Sequence, residues 1–244
     1  MHPEVTPADG RLLDVCGRRR SPATIPGYNA GRPPATKGRR YPADPIAVED
    51  IALLLWACKA ASTDRRHQLS ALRLRALIAV LWRSGLRISE ALDLEERDLN
   101  RREHAITVRH GKGDKRRISA MDDWGWRELQ RWLDVRRELK LGQVFCVLSG
   151  PTEGRSLSGT DARRQLRELG AAAGLRRRIN PHAFRHQHAV ELWREGVDVY
   201  AIQRQLGHAR LDVTAEYLRG IAPMELLGPI GQRRAPTMAV PHAA

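Results

Sequence analysis

The sequence predicts an α+β fold that is mainly helical and contains one small antiparallel β-sheet. Apolar residues recur at helical spacing over most of the stretch from Pro45 to Gly220. The clear interruption is a β-hairpin signal near residues 105–119. Hydrophobic residues make up 42% of the 244-residue chain, which is enough for one buried core.

Two helices open the predicted domain. The first spans about residues 48–60, and the second spans about residues 71–83. The second helix is apolar nearly all round, so we expect it at the centre of the core. Gly85 is placed to end it, and a short helix begins near Ser89.

The hairpin and the remaining helices follow in order. The segment Ala105–Val108 predicts one strand, the turn HGKGDK reverses the chain, and residues 116–119 predict the second strand. Helices resume over about residues 124–139 and 158–173, with Ser158 as N-cap and Gly174 as the stop. The last three helices are predicted to begin near Pro181, Val199 and Asp212.

The segments on either side differ in composition from the helical part. Residues 1–43 are rich in Pro, Gly, Arg and Ala and predict a flexible basic arm before a folded domain at 44–220. Residues 221–244 form a C-terminal tail with a short apolar cluster. No apolar run approaches the roughly 18 residues of a membrane span. The first residues also lack the apolar centre of a signal peptide, so we expect a cytoplasmic protein without a membrane partner.

Charge and cysteine content narrow the class of protein. The net charge is +14, from 42 Lys and Arg against 28 Asp and Glu, and such an excess favours a polyanionic partner such as nucleic acid. Cys16, Cys58 and Cys146 are far apart and form no C-x-x-C pair. The spacing therefore indicates neither a disulfide framework nor a zinc site.

Four segments carry residue types suited to phosphate chemistry: SGLRISEALDL, HGKGDKRR, NPHAFRH and QLGHARLDVTAEYLRG. Each segment by itself is weak evidence for such chemistry, since an arginine in an Arg-rich chain is usually solvated and most tyrosines are structural. In the third segment, His182 and Arg185 are three residues apart and share one helix face. The chemical case rests on all four segments together.

In this order, and over about residues 45–220, the four segments resemble the conserved blocks of the tyrosine recombinase (phage integrase) family. The resemblance implies the family's catalytic domain and an enzyme that cuts and rejoins DNA through a 3′-phosphotyrosyl intermediate. It also implies Glu90 as a buried partner for the first arginine or its neighbours. The catalytic residues of the family fall on Arg87, Lys112, His182, Arg185, His208 and Tyr217.

Each residue type fits the implied reaction. Arg87 and Arg185 can donate paired N–H groups to the non-bridging oxygens of a phosphate, and His208 adds another donor. A phenol with a pKa of about 10 is a weak nucleophile, so His182 is the candidate base for Tyr217. Lys112 is the candidate acid for the departing 5′ oxygen. The tyrosyl ester stores the bond energy, and no carboxylate cluster suited to Mg²⁺ is evident, so we expect no cofactor.

The match also departs from the usual family layout. The first 43 residues are too few for the separate DNA-binding domain that most members carry, and the arrangement is similar to that of small invertase-type recombinases. The resemblance implies double-stranded DNA and further protomers on paired sites as partners. A tail cluster is then expected to dock on a neighbouring protomer: Met224, Leu226 and Leu227. The alternatives are type IB topoisomerase-like relaxation and a non-catalytic DNA-binding relic.

Overall fold

The computed structural model describes residues 45–58, 64–109, 116–139 and 142–218, and for residues 216 and 217 it describes the helix without the side chains. Within these ranges the chain is mainly helical with a small antiparallel sheet, which confirms the predicted fold class. The predicted arm and tail lie outside the described residues. The helices are α1 Val48–Ala57, α2 Arg65–Arg83, α3 Ile88–Leu92, α4 Asp123–Glu138, α5 Gly159–Ala172, α6 Pro181–Arg194, α7 Val199–Leu206 and α8 Leu211–Leu218.

Helix α2 is the centre of the core, as its apolar composition predicts. It buries an unbroken run from Ala76 to Leu81. The helix begins at Arg65, earlier than the predicted start near residue 71, because the side chain of Asp64 accepts a hydrogen bond of 2.9 Å from the backbone N–H of Arg66. The residues of its first turn are exposed and polar, so no apolar periodicity marks them.

Helix α4 packs along α2 and supplies the bulkiest core residues. Trp126 and Trp132 are buried, and the indole N–H of Trp132 donates to the carbonyl of Val144 at 2.7 Å. An ion pair between Arg75 of α2 and Glu128 of α4 joins the two helices with an N–O distance of 2.5 Å. The indole hydrogen bond and the ion pair give this part of the core fixed polar partners as well as apolar contact.

The sheet has three antiparallel strands in the order β1 Leu99–Asn100, β2 Ala105–Val108 and β3 Arg117–Ala120. Strands β2 and β3 are the predicted hairpin, and β1 is an addition that two residues are too few to predict by alternation. The hydroxyl of Ser119 in β3 donates to the carbonyl of Ser84 at 2.8 Å. The sheet therefore lies against the C-terminal end of α2.

Helices α6, α7 and α8 pack on one another, and α6 also packs on α2. Local signals set their starts as predicted: Asn180 caps α6, with Pro181 in its first turn, and Asp198 caps α7. Their own apolar cluster is small, with Ile202 and Leu206 of α7 at its centre. Among the helices that the structure describes, none is both long enough and apolar enough to cross a membrane.

Candidate active site

Arg87 and Glu90 are brought together by the turn that follows α2. Gly85 adopts φ +65°, and α3 begins directly after Arg87. The Glu90 carboxylate accepts from the backbone N–H of Arg87 at 2.8 Å and from its guanidinium at 2.7 Å. The Arg87 side chain stays 23% exposed, whereas that of Glu90 is 2% exposed. Glu90 is therefore an internal support, and Arg87 is the group that reaches the surface.

Arg117 of β3 is the second partner of Glu90. Its two terminal nitrogens contact the two carboxylate oxygens at 2.8 and 2.7 Å, which is the bidentate arrangement. Burial by itself raises the pKa of Glu90, but hydrogen bonds from Arg117 and Arg87 and the charge of Arg117 lower it to about 2. Glu90 is thus a fixed anion between two arginines, as the family resemblance implies.

Arg185 lies on α6 with its whole side chain buried. Its guanidinium donates to the carbonyl of Gly85 at 2.6 Å and to that of Leu206 at 2.6 Å. Both carbonyls stand at C-terminal ends of helices, where backbone oxygens lack helical partners and carry partial negative charge. We call Arg87, Arg117 and Arg185 the arginine cluster.

Two glycines leave no space for a side chain beside this cluster. Gly207 has φ +65°, and a Cβ there would lie 2.6 Å from Cδ of Arg117. Gly85 has the same φ, and its Cβ would lie 2.5 Å from the ring of His188. Any other residue at either position would strain the backbone and push on a neighbouring side chain, that of Arg117 at position 207 and that of His188 at position 85.

His182 occupies the first turn of α6, where the Asn180 side chain accepts from its backbone N–H at 3.0 Å. Burial and the nearby charges of Arg185 and Arg87 lower the pKa of His182 to about 4. The imidazole is therefore neutral at pH 7, and one of its two ring nitrogens carries no proton.

His208 follows Gly207 in the loop between α7 and α8. Gln203 holds this loop, since its backbone carbonyl accepts from the His208 N–H and its side chain donates to the His208 carbonyl at 3.0 Å. The ring nitrogen Nδ1 lies 2.9 Å from the hydroxyl of buried Thr214. Burial and the charges of Arg185 and Arg87 lower the pKa of His208 to about 3.

Four of the six predicted site residues lie close enough together to affect one another. The charges of Arg87 and Arg185 act on both histidines, and His182 acts on His208. Lys112 lies outside the described residues. Tyr217 is in α8, three positions after Thr214, with its side chain outside the described part.

Sequence reasoning missed two supporting residues, Arg117 and Thr214. A signal existed for Arg117, because it alternates with buried Ser119 along β3 and so faces inward. An arginine on that face is largely removed from water and needs an anion, and Glu90 is the one it meets. No sequence pattern marked Thr214, because its partner is a loop histidine.

Comparison with known proteins agrees with this geometry. The family model described as the phage integrase family matches residues 46–221. A tyrosine recombinase XerC from Rhodospirillum centenum is 36% identical over 192 residues, which are 75% of this chain and 52% of the relative. A tyrosine recombinase XerA from Pyrococcus furiosus is 34% identical over 148 residues, 61% of this chain and 50% of that protein. The chain thus spans about half the length of these relatives.

Solved structures give the same result. The crystal structure of a XerA recombinase superposes with a TM-score of 0.65 at 25% identity, over 83% of this chain and 68% of that one. A XerH site-specific recombinase bound to a palindromic difH substrate, in a post-cleavage complex, has a TM-score of 0.63 at 25% identity, over 91% and 62% of the two chains. With a family match over most of its length, this chain belongs to the phage integrase family of tyrosine recombinases.

Proposed function

We propose that this protein is a site-specific DNA recombinase that cleaves and rejoins duplex DNA, with Tyr217 as the nucleophile. The product of the first step is a 3′-phosphotyrosyl bond with a free 5′ hydroxyl. Because the ester conserves the bond energy, rejoining needs neither nucleotide nor metal. The Xer relatives favour recombination over the relaxation reaction of a type IB topoisomerase.

One observation carries the proposal. Arg87, Arg185, His182 and His208 come from three separate segments, yet the two guanidinium groups lie near enough to lower the pKa of both histidines. Arg185 and Arg87 also contact the carbonyls of Leu206 and Gly207, the two residues directly before His208. The Thr214–His208 contact ties α8, which holds Tyr217, to this group. Solvated surface arginines would have no reason to be assembled in this way.

The arginines have the chemistry that a phosphodiester requires. Attack by the phenol adds negative charge to the non-bridging oxygens, and guanidinium groups already fixed by carbonyls and Glu90 stabilise that charge with little reorganisation. Arg87, which is partly exposed, meets the phosphate first. Arg185 is buried in the free protein, so DNA binding must open a path to its guanidinium.

Proton transfer falls to the histidines and Lys112. His182 is neutral at pH 7, and the negative charge of a bound phosphate raises its pKa, so it becomes a better base for the phenol. Neutral His208 donates one N–H to a phosphate oxygen. Lys112, in the segment between β2 and β3, protonates the departing 5′ oxygen.

DNA is the partner that the charge distribution favours. An open cavity of about 350 Å³ beside the start of α6 is lined by several arginines, and none of its described lining residues is acidic. These side chains suit backbone phosphates on either side of the cleaved one. They are Arg163, Arg167, Arg177 and Arg178.

Each part of the chain has a role in this function. Residues 1–43 add basic contacts as an arm, residues 44–220 act as the catalytic domain, and the tail docks on a second protomer. With DNA as the proposed substrate, we expect the protein in the cytoplasm.

Covalent capture tests this function. The substrate is a library of nicked duplexes with randomised sequence. Cleavage near the nick releases a short fragment with a 5′ hydroxyl, which diffuses away. Rejoining is then impossible, so any protein–DNA ester is trapped. We expect a covalent adduct on a denaturing gel with the native protein, formed equally in EDTA. Tyr217→Phe removes one hydroxyl and should abolish the adduct while leaving DNA affinity unchanged.

Tyr200→Phe is the matched control, since Tyr200 is 61% exposed on α7. It should form the adduct at the native rate. An adduct that persists in Tyr217→Phe would assign the nucleophile to another residue, and no adduct from the native chain would count against the proposed function itself.

A further inference from the structure

Three successive carbonyls at the end of α7 each face a different member of the arginine cluster. The carbonyl of Leu206 accepts from Arg185 at 2.6 Å. Those of Gln205 and Gly207 lie 3.5 Å from Nε of Arg117 and 3.4 Å from a terminal nitrogen of Arg87, at the outer limit of a hydrogen bond. The C-terminal end of a helix is partly negative, so it holds cations. We call these three carbonyls the α7 platform.

The side chain of Gln205 fixes the α7 platform to the rest of the domain. Its amide oxygen accepts from the backbone N–H of Ala120 at 2.9 Å, and its amide nitrogen donates to the Ala120 carbonyl at 2.8 Å. These two hydrogen bonds have the pattern that a neighbouring β-strand would form with the edge of β3. The same nitrogen lies 3.2 Å from the carbonyl of Ser84, at the end of α2.

The platform has little room to move. Gly207 already contacts the Arg117 side chain so closely that a Cβ would clash with it. The carbonyl of Gly85, one residue after Ser84, is the other acceptor for Arg185. A shift of α7 relative to α2 would therefore separate the carbonyls of Gly85 and Leu206, which together orient the Arg185 guanidinium.

We propose that Gln205 is a positioning residue for DNA cleavage: by joining the end of α7 to β3 and α2, it holds the carbonyls that orient Arg87 and Arg185. Gln205 acts through the arginines and does not itself contact DNA. The inference rests on the proposed function, because it concerns the rate at which the phosphotyrosyl bond forms.

The test is Gln205→Met, which keeps the length of the side chain and removes its donor and acceptor. Gln130→Met on α4 is the matched control, since the Gln130 amide bonds only the exposed Asp134 among the contacts described. A displacement of about 1 Å in a catalytic group costs about 100-fold in rate. We therefore expect adduct formation in Gln205→Met to slow by about 10- to 100-fold, with DNA affinity unchanged and the control at the native rate.

A double-mutant cycle separates positioning from general loosening of the fold. Arg87→Lys keeps the charge but has a single terminal nitrogen, so it cannot contact both Glu90 and the α7 platform as the guanidinium does. If Gln205 acts through Arg87, the two substitutions together should slow cleavage by less than the product of their separate effects. Strictly multiplicative losses, or a native rate in Gln205→Met, would overturn the inference.

A second variant and the native chain distinguish the possible failures. If Gln205→Met is not folded, Gln205→Glu replaces it: the carboxylate retains the acceptor for Ala120 and loses both donors, so the same slowing and the same coupling are expected. Absence of an adduct with the native chain would refute the proposed function, whereas a native adduct with no effect of either variant refutes the positioning role alone.

Discussion

The core around α2 and the layer formed by α6, α7 and α8 are stabilised in different ways. In α2, the run from Ala76 to Leu81 is enclosed by apolar neighbours. The apolar cluster of the C-terminal layer centres on Ala189, Ile202 and Leu206, and Phe184 of α6 also joins the α2 core. Arg185 adds directional contacts, because its guanidinium donates to carbonyls at the ends of α2 and α7.

The difference has a consequence for function. Apolar packing is non-directional, so a core residue can be exchanged for another of similar volume at modest cost. Hydrogen bonds to a guanidinium are directional, and they lose their value when the geometry changes. Single polar substitutions in the layer that carries His208 and Tyr217 should therefore lower the rate of DNA cleavage. Substitutions in the α2 core should instead lower the free energy of unfolding.

Glu90→Gln tests the directional side of that contrast, because Glu90 holds Arg87 and Arg117, which contact carbonyls at the end of α7. It removes the anion that holds Arg87 and Arg117, so both guanidinium groups lose their orientation. We expect adduct formation to fall by about 100- to 1,000-fold, the range seen when one preorganised donor is lost. Unfolding should also require about 3–5 kcal/mol less free energy, because Arg117, whose side chain is only 12% exposed, loses its counter-charge.

Suicide-substrate kinetics and urea unfolding measure the two effects of Glu90→Gln. Glu168→Gln on α5 is the control, since its ion pair with Arg164 is exposed. A native cleavage rate in Glu90→Gln would break the proposed link between the Glu90 ion pairs and catalysis.

Leu77→Ala should lower stability without changing the rate of cleavage. Leu77 is fully buried in α2, and removing its three distal carbons leaves a cavity that the packed core cannot fill. We expect the free energy of unfolding to fall by about 2–5 kcal/mol. At a temperature where the variant remains folded, adduct formation should match that of the native protein. A large loss of rate in the folded variant would show that the core and the C-terminal layer are coupled.

The pH dependence of stability should come mainly from the C-terminal layer. Burial, together with the charges of nearby arginines, lowers the pKa values of His182, His188 and His208 from 6.5 to about 4, 3 and 3. Between those values and pH 6.5 the unfolded chain binds protons that the folded chain does not. The free energy of unfolding should thus be independent of these groups above pH 6.5 and fall below it, by up to about 1.4 kcal/mol per pH unit for each histidine.

Urea unfolding at pH 7, 6 and 5 measures that slope. His188→Asn removes one titrating ring outside the proposed catalytic set, so its slope should be smaller than that of the native protein. An equal slope in the two proteins would assign the pH dependence to other groups.

The sequence by itself determined the local structure. Periodicity, caps and glycines predicted the hairpin and most helix boundaries, because these signals act within a few residues. Asn180, Pro181 and Ser158 stand where the expected helices begin. Resemblance of four segments supplied the family and the six site candidates, all of which remain predictions as catalytic residues.

Only the tertiary structure decided how the site is supported. Arg185 and the carbonyl of Gly85 are 100 positions apart, and Arg87 and the carbonyl of Gly207 are 120 apart. Backbone carbonyls exist at every residue, so no pattern of side chains marks which of them will accept from an arginine. The fold makes that choice when it brings the ends of α2 and α7 together, because an unpaired guanidinium and unpaired helix-end carbonyls are both costly to bury.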